Sequence, residues 1–218
     1  MNETLTICIR VAAVTIVALV PLINPAGTAP IFLSLTHGES DRTRAMLAWR
    51  IARNAWVLLV AATLGGSSVL LLFGLSLAEI RIAGGLLVIA TAWHLMRTDQ
   101  RPDAGLTALS RREAHDPAHA AFYPLTFPVT IGPGSLAVAV TLGAGADETS
   151  RIAALIGAIA GSVVVSFTIY LCYRFAARAA RILGDAGTLV LFRLSAFILL
   201  AVGVKILSDG IAERFTAG

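Results

Sequence analysis

Six of the chain's eight prolines stand in two matched triplets: Pro21, Pro25 and Pro30, then Pro124, Pro128 and Pro133. Each later proline follows its counterpart by 103 residues, and Pro-Leu opens both sets. Around the first set lie Asn24, Gly27 and Thr28; around the second lie Thr126, Thr130, Gly132, Gly134 and Ser135. Short amide and hydroxyl groups suit a small zwitterion, and glycine lets a backbone approach a ligand closely. Proline lacks an N–H and breaks a helix interior. It also drives the preceding residue, here Asn24 or Phe127, away from helical geometry. A half-helix begun after Gly134 would offer the N–H groups of Ser135 and Leu136 to a carboxylate, and one begun after Gly27 a second set. Carbonyls freed before each break could take an ammonium group or a cation. This chemistry is binding rather than bond-making. No cluster of nucleophiles, acids and metal ligands accompanies it, which argues against an enzyme, a metal centre or a cofactor.

Other polar residues carry weaker signals. None of the thirteen acids falls mid-span, so a carboxylate proton relay is not expected. A coupling cation, H+ or Na+, would have to use backbone carbonyls, Asn24 or a histidine. His94, beside Trp93, reads as an interfacial residue. His115 and His119 are four apart, but Pro117 between them spoils the helix that a paired metal site would need. Lys205 reads as a snorkelling side chain. Cys8 and Cys172 sit in apolar runs and read as packed thiols.

The elements that must position these groups are apolar helices. The chain has 218 residues, 57% of them hydrophobic and only 14% charged, with a mean hydropathy of +0.82. Soluble domains average about 25% charged residues, and several apolar runs reach the ~18 residues that suggest a membrane span. The reading is an all-α polytopic membrane protein, a single membrane domain over residues 1–218, in contact with the lipid bilayer. Six spans are expected: about Ile7–Thr36 broken at Asn24-Pro25, then Ala55–Phe73, Ile82–Met96, Ala120–Gly145 broken at Pro128–Gly134, Ile152–Tyr173 and Leu189–Leu207. Repeat one covers about 5–96, a polar linker about 97–119 and repeat two about 120–212. Arg81-Ile82-Ala83 and Arg193-Leu194-Ser195 are a second echo between the halves. Three spans per repeat turn the second copy upside down, so spans 1 and 4 are broken at equivalent places, the usual mark of a transporter's binding site. In hydrocarbon, such breaks survive only when buried in protein or lining a wet cavity.

The net charge of +4 and isoelectric point near 9.7 do not indicate nucleic acid. The loops after spans 1, 3 and 5 hold 11 of the 17 lysines and arginines. That bias puts these loops in the cytoplasm and both termini on the periplasmic side. The apolar N-terminal run reads as a retained first span rather than a cleaved signal. Gly65-Gly66 and Gly157/Gly161 suit close helix packing, within one chain or in an oligomer.

The stretch from Asn24 to Thr36, NPAGTAPIFLSLT, resembles the N-P-x-G-x-x-P-x-F-L-x-L-T signature of the MarC family, also described as small neutral amino acid transporters. Gly132-Pro133-Gly134 is similar to that family's second-half motif, and Arg193–Gly210 resembles its last span. The chain departs at Lys205, where the family tends to carry a neutral polar residue. The resemblance implies a six-span protein of the bacterial inner membrane. It also implies a secondary transporter of small neutral amino acids such as glycine or alanine, working by alternating access. A non-transporting scaffold or regulator, and a passive channel, are the alternatives.

Overall fold

The computed structural model describes residues 2–97, 121–144 and 150–216, and the described residues are helical apart from short turns. The polar linker, with His115 and His119, and the turn carrying Asp147 and Glu148 lie outside them. Eight helical segments follow in order: α1 (Asn2–Ile23), α2 (Pro25–Leu35), α3 (Asp41–Phe73), α4 (Leu77–Arg97), α5 (Ala121–Thr130), α6 (Pro133–Ala144), α7 (Arg151–Arg174) and α8 (Ala176–Thr216). Five helices are long and apolar enough to cross a membrane, and six if α5 and α6, bent by 75°, count as one span.

Several boundaries differ from those the sequence suggests. The first break does not divide a span in two: Glu3–Ile23 is by itself long enough to cross, and α2 is an additional apolar helix of 11 residues. The arginine-rich stretch before Ala55 is helical from Asp41. Its start is fixed by Ser40, whose Oγ accepts the N–H of Thr43, and Asp41 complements the positive end of the helix. Arg44 then donates to the Thr36 carbonyl, tying the end of α2 to the start of α3. Helix α4 begins at Leu77, ahead of Ile82, under a reciprocal cap. The Ser76 N–H donates to Glu79 Oε2 and the Glu79 N–H to Ser76 Oγ. Helix α8 continues past Leu207 to Thr216, with one interruption at Gly184, where φ is 64°. Lys205 and Asp209 pair at 2.9 Å across one turn of it, which lets the helix carry both charges onward.

Glycines set the packing. In lipid there is little hydrophobic drive between helices, so association depends on close backbone approach. A Cβ on Gly157 would meet the Cys8 carbonyl and Val11, and one on Gly161 would meet Ala12 and Thr15. Helices α1 and α7 therefore run parallel, and the Cys8 thiol donates to the Ala153 carbonyl at 3.1 Å. Gly85 abuts Leu207, Gly203 abuts Ile89, and Gly210 abuts Arg81 and Ile82, so α4 and α8 are antiparallel. Their far ends are joined by an Arg81–Glu213 ion pair at 2.6 Å. Gly66 meets Val140, and Gly143 meets the Thr63 carbonyl, which makes a tight crossing of α3 and α6. Since Trp49 of α3 packs edge-on to Tyr170 near the other end of α7, α3 runs antiparallel to α7. Large apolar side chains such as Val17, Leu72, Phe167 and Phe215 face outward, as lipid contact requires.

Candidate functional site

The two proline motifs converge on one buried hydroxyl. Tyr173, in the last turn of α7, is 2% exposed. Its hydroxyl donates to Thr28 Oγ1 at 2.9 Å and lies 2.9 Å from Thr130 Oγ1. Its ring stacks on Phe32 of α2, with centroids 4.7 Å apart and planes 9° from parallel. One side chain thus joins the helix that follows the first break to the segment that forms the second. The meeting point lies at the end of α7, beside Arg174, not at the middle of that helix.

Around the first break, Asn24 is the only residue other than glycine with positive φ among the described residues, at 50°. Asparagine tolerates this left-handed geometry because its short side chain bonds locally. Here Asn24 Oδ1 accepts the N–H of Gly27 at 3.1 Å and caps α2, with Pro25 in the first turn, where its missing N–H costs nothing. Gly27 is required by the cap, since a Cβ there would overlap the Asn24 carboxamide. The Thr28 hydroxyl donates to the Asn24 carbonyl at 3.2 Å. Asn24, Gly27 and Thr28 are all buried.

The second break is built differently. Tyr123 and Phe127 are extended, each ahead of a proline, and the peptide bonds Tyr123-Pro124 and Phe127-Pro128 are cis. Threonine hydroxyls bond back to carbonyls five residues earlier. Thr126 Oγ1 donates to the Ala121 carbonyl and Thr130 Oγ1 to the Leu125 carbonyl, both at 2.6 Å. Thr126 and Thr130 are buried, as is Ser135 at the start of α6. The N–H groups of Ser135 and Leu136 both donate to the Gly132 carbonyl, at 3.1 and 3.3 Å. They are therefore engaged within the turn in this structure. Gly134 does not face the first break: a Cβ there would overlap Val88 of α4.

Three further residues escaped the sequence reading. Tyr173 ends a span next to arginines and so reads as an interfacial aromatic. Among the described residues, Ser166 Oγ and Trp56 Nε1 are buried without a hydrogen-bond partner, as is Asn24 Nδ2. Nothing in sequence separates a serine bonded to its own helix, as Ser162 is to the Ala158 carbonyl, from one that is not. Among the described residues, no group of three or more His, Cys, Asp or Glu is placed to hold a metal ion. His94 lies on an exposed position of α4.

A helical chain with five or six apolar crossings, and a polar centre assembled from interrupted helices, is an integral membrane protein of the multi-pass class. It belongs to the MarC family of integral membrane proteins, which matches residues 9–215. It is 28% identical over 199 residues to the membrane protein YvbG of Bacillus subtilis, covering 91% of this chain and 93% of that one. It is 29% identical over 198 residues to a membrane protein of Archaeoglobus fulgidus, with 90% of each chain covered. With the inner membrane protein MarC of Salmonella typhimurium it shares 28% identity over 204 residues, 91% of this chain and 92% of the relative. No solved structure matches.

Proposed function

We propose that this protein is a secondary transporter of small neutral solutes, amino acids such as glycine or alanine, in a bacterial inner membrane. The observation that carries the reading is the Tyr173 hydroxyl, which holds Thr28 beside one interrupted helix and Thr130 beside the other. Two helix breaks sharing one polar centre are costly to bury unless they serve a polar solute. The groups there are neutral amides and hydroxyls with glycines, which suits an uncharged or zwitterionic solute of small size.

The matched proline triplets support a reading of two inverted three-helix repeats, spans 1–3 and spans 4–6. With the basic loops in the cytoplasm, both termini are periplasmic and the Tyr173 centre lies toward the cytoplasmic end. Alternating access then requires Thr28 and Thr130 to part, and the Tyr173 bridge is the contact that must open.

The test is solute counterflow in proteoliposomes carrying the purified full chain. Radiolabelled alanine or glycine is expected to accumulate against a preloaded pool, which a passive channel or a scaffold would not produce. Tyr173→Phe removes the hydroxyl that links the two threonines, at about 1 kcal/mol, and is expected to change the counterflow rate at least about fivefold. No counterflow of any small neutral amino acid, or an unaltered rate in Tyr173→Phe, would sink the proposal.

A further inference from the structure

Asn24 is 9% exposed and Ser166 6%, and Asn24 Nδ2, Ser166 Oγ and Trp56 Nε1 have no hydrogen-bond partner among the described residues. An unmet polar group costs about 1–3 kcal/mol when buried, so these three groups call for an explanation. Their positions follow from the helix register. Cys8 pairs with Ala153 and Thr28 with Tyr173, both at a separation of 145 residues. The same register sets Asn24 level with Ile169, one turn from Ser166. Trp56 follows Trp49 by two turns of α3, and Ser166 precedes Tyr170 by about one turn of the antiparallel α7. The contact between Trp49 and Tyr170 therefore puts Trp56 and Ser166 at neighbouring levels.

The chemistry of these groups is one-sided. The Asn24 carboxamide cannot be turned over, because its oxygen is held by the Gly27 N–H, and a flip would set two donors against each other. Its Nδ2 thus offers N–H donors that nothing in the described residues meets. An indole nitrogen is likewise only a donor, and a serine hydroxyl serves as either.

We propose that Asn24 Nδ2 and Ser166 Oγ, with Trp56 Nε1 beside them, form a binding site for a hydrogen-bond-accepting group, the carboxylate of the solute. This replaces the N–H groups of Ser135 and Leu136, which are engaged by Gly132. It also orients a zwitterion: the carboxylate turns to the first break, and the ammonium group to the hydroxyl and carbonyl oxygens of α5. The donor site itself needs no amino-acid transport. Only the identification of its ligand as an amino acid rests on the transporter reading.

The experiment uses the full chain in detergent with three probes: alanine, propionate, which keeps the carboxylate alone, and ethylamine, which keeps the amine alone. Alanine and propionate are expected to raise the apparent melting temperature of the native chain, and ethylamine to leave it unmoved. Ser166→Ala should weaken propionate by about tenfold. Asn24→Asp keeps the oxygen that caps Gly27 but replaces the donor by a second acceptor, and is expected to remove the propionate response. If Asn24→Asp does not fold, the emission of Trp56 gives a second readout, with the exposed Trp49 and Trp93 replaced by Phe. It should shift on propionate titration and saturate with the melting response.

The inference is overturned by Asn24→Asp binding propionate as the native chain does, by a response to ethylamine but not propionate, by no response to any probe, or by Trp56 emission that a saturating probe leaves unchanged. Propionate binding that depends on Asn24 without alanine counterflow would keep the donor site and remove the amino-acid reading. Counterflow with propionate ignored would do the reverse.

Discussion

The two proline motifs share their spacing but not their backbone. At the first, one left-handed residue, Asn24, turns the chain and caps an otherwise regular α2. At the second, Tyr123 and Phe127 are both extended, and the path into α6 bends by 75°. The equivalent of Asn24 at the 103-residue offset is Phe127, which has no side-chain oxygen to cap anything. The second motif instead uses the Thr126 and Thr130 hydroxyls to bond carbonyls five residues back. Proline spacing therefore fixes where a helix fails. The polar residue beside the proline decides how the freed groups are satisfied, and so what shape the failure takes.

Three substitutions sharpen this contrast, each measured as apparent melting temperature of the purified chain. Gly134→Leu is expected to be the most damaging, at about 3 kcal/mol, because even a Cβ there overlaps Val88. Its counterflow loss would then reflect displacement of α4 as much as damage to a site. A melting temperature equal to that of the native chain would contradict the close packing of α6 on α4. Asn24→Ala removes the cap on Gly27 and forces alanine into left-handed geometry, for about 2 kcal/mol. Asn24→Gly should recover part of that loss by relieving the backbone term alone, and equal losses would show that φ at this position is immaterial. Thr126→Val is expected to cost about 1 kcal/mol by removing the hydroxyl bond to the Ala121 carbonyl. A loss as large as that of Asn24→Ala would mean that the two breaks depend equally on a single polar group.

Much of the architecture was legible in the sequence. Long apolar runs cannot be hidden in so small a chain except in lipid, and the two triplets marked both interruptions. The polar beginning of α3 was not legible, because four arginines before Ala55 read as a loop when they lie on a helix capped by Ser40. The length of α8 was hidden by Ser208-Asp209-Gly210, which reads as a stop; in place, Gly210 is where α8 closes against Arg81 and Ile82. At the candidate site, Asn24, Thr28 and Thr130 were visible because they neighbour prolines. Tyr173 was not, since its partners lie 145 and 43 residues away and no local pattern announces such a contact. Nor could the sequence say that Gly132 would engage the N–H groups of Ser135 and Leu136.

The centre at Tyr173 holds one more consequence. Thr28, Tyr173 and Thr130 each own a single hydroxyl hydrogen, yet together they make five short oxygen contacts: Thr28 with Asn24 and Pro25, Thr130 with Leu125, and Tyr173 with each threonine. With the Thr28 hydrogen shared between its two carbonyls, three hydrogens still serve four links, so one link goes without. Rotation about the C–O bonds selects which one, so a guest that supplies or withdraws one hydrogen bond would shift the hydroxyls as a set.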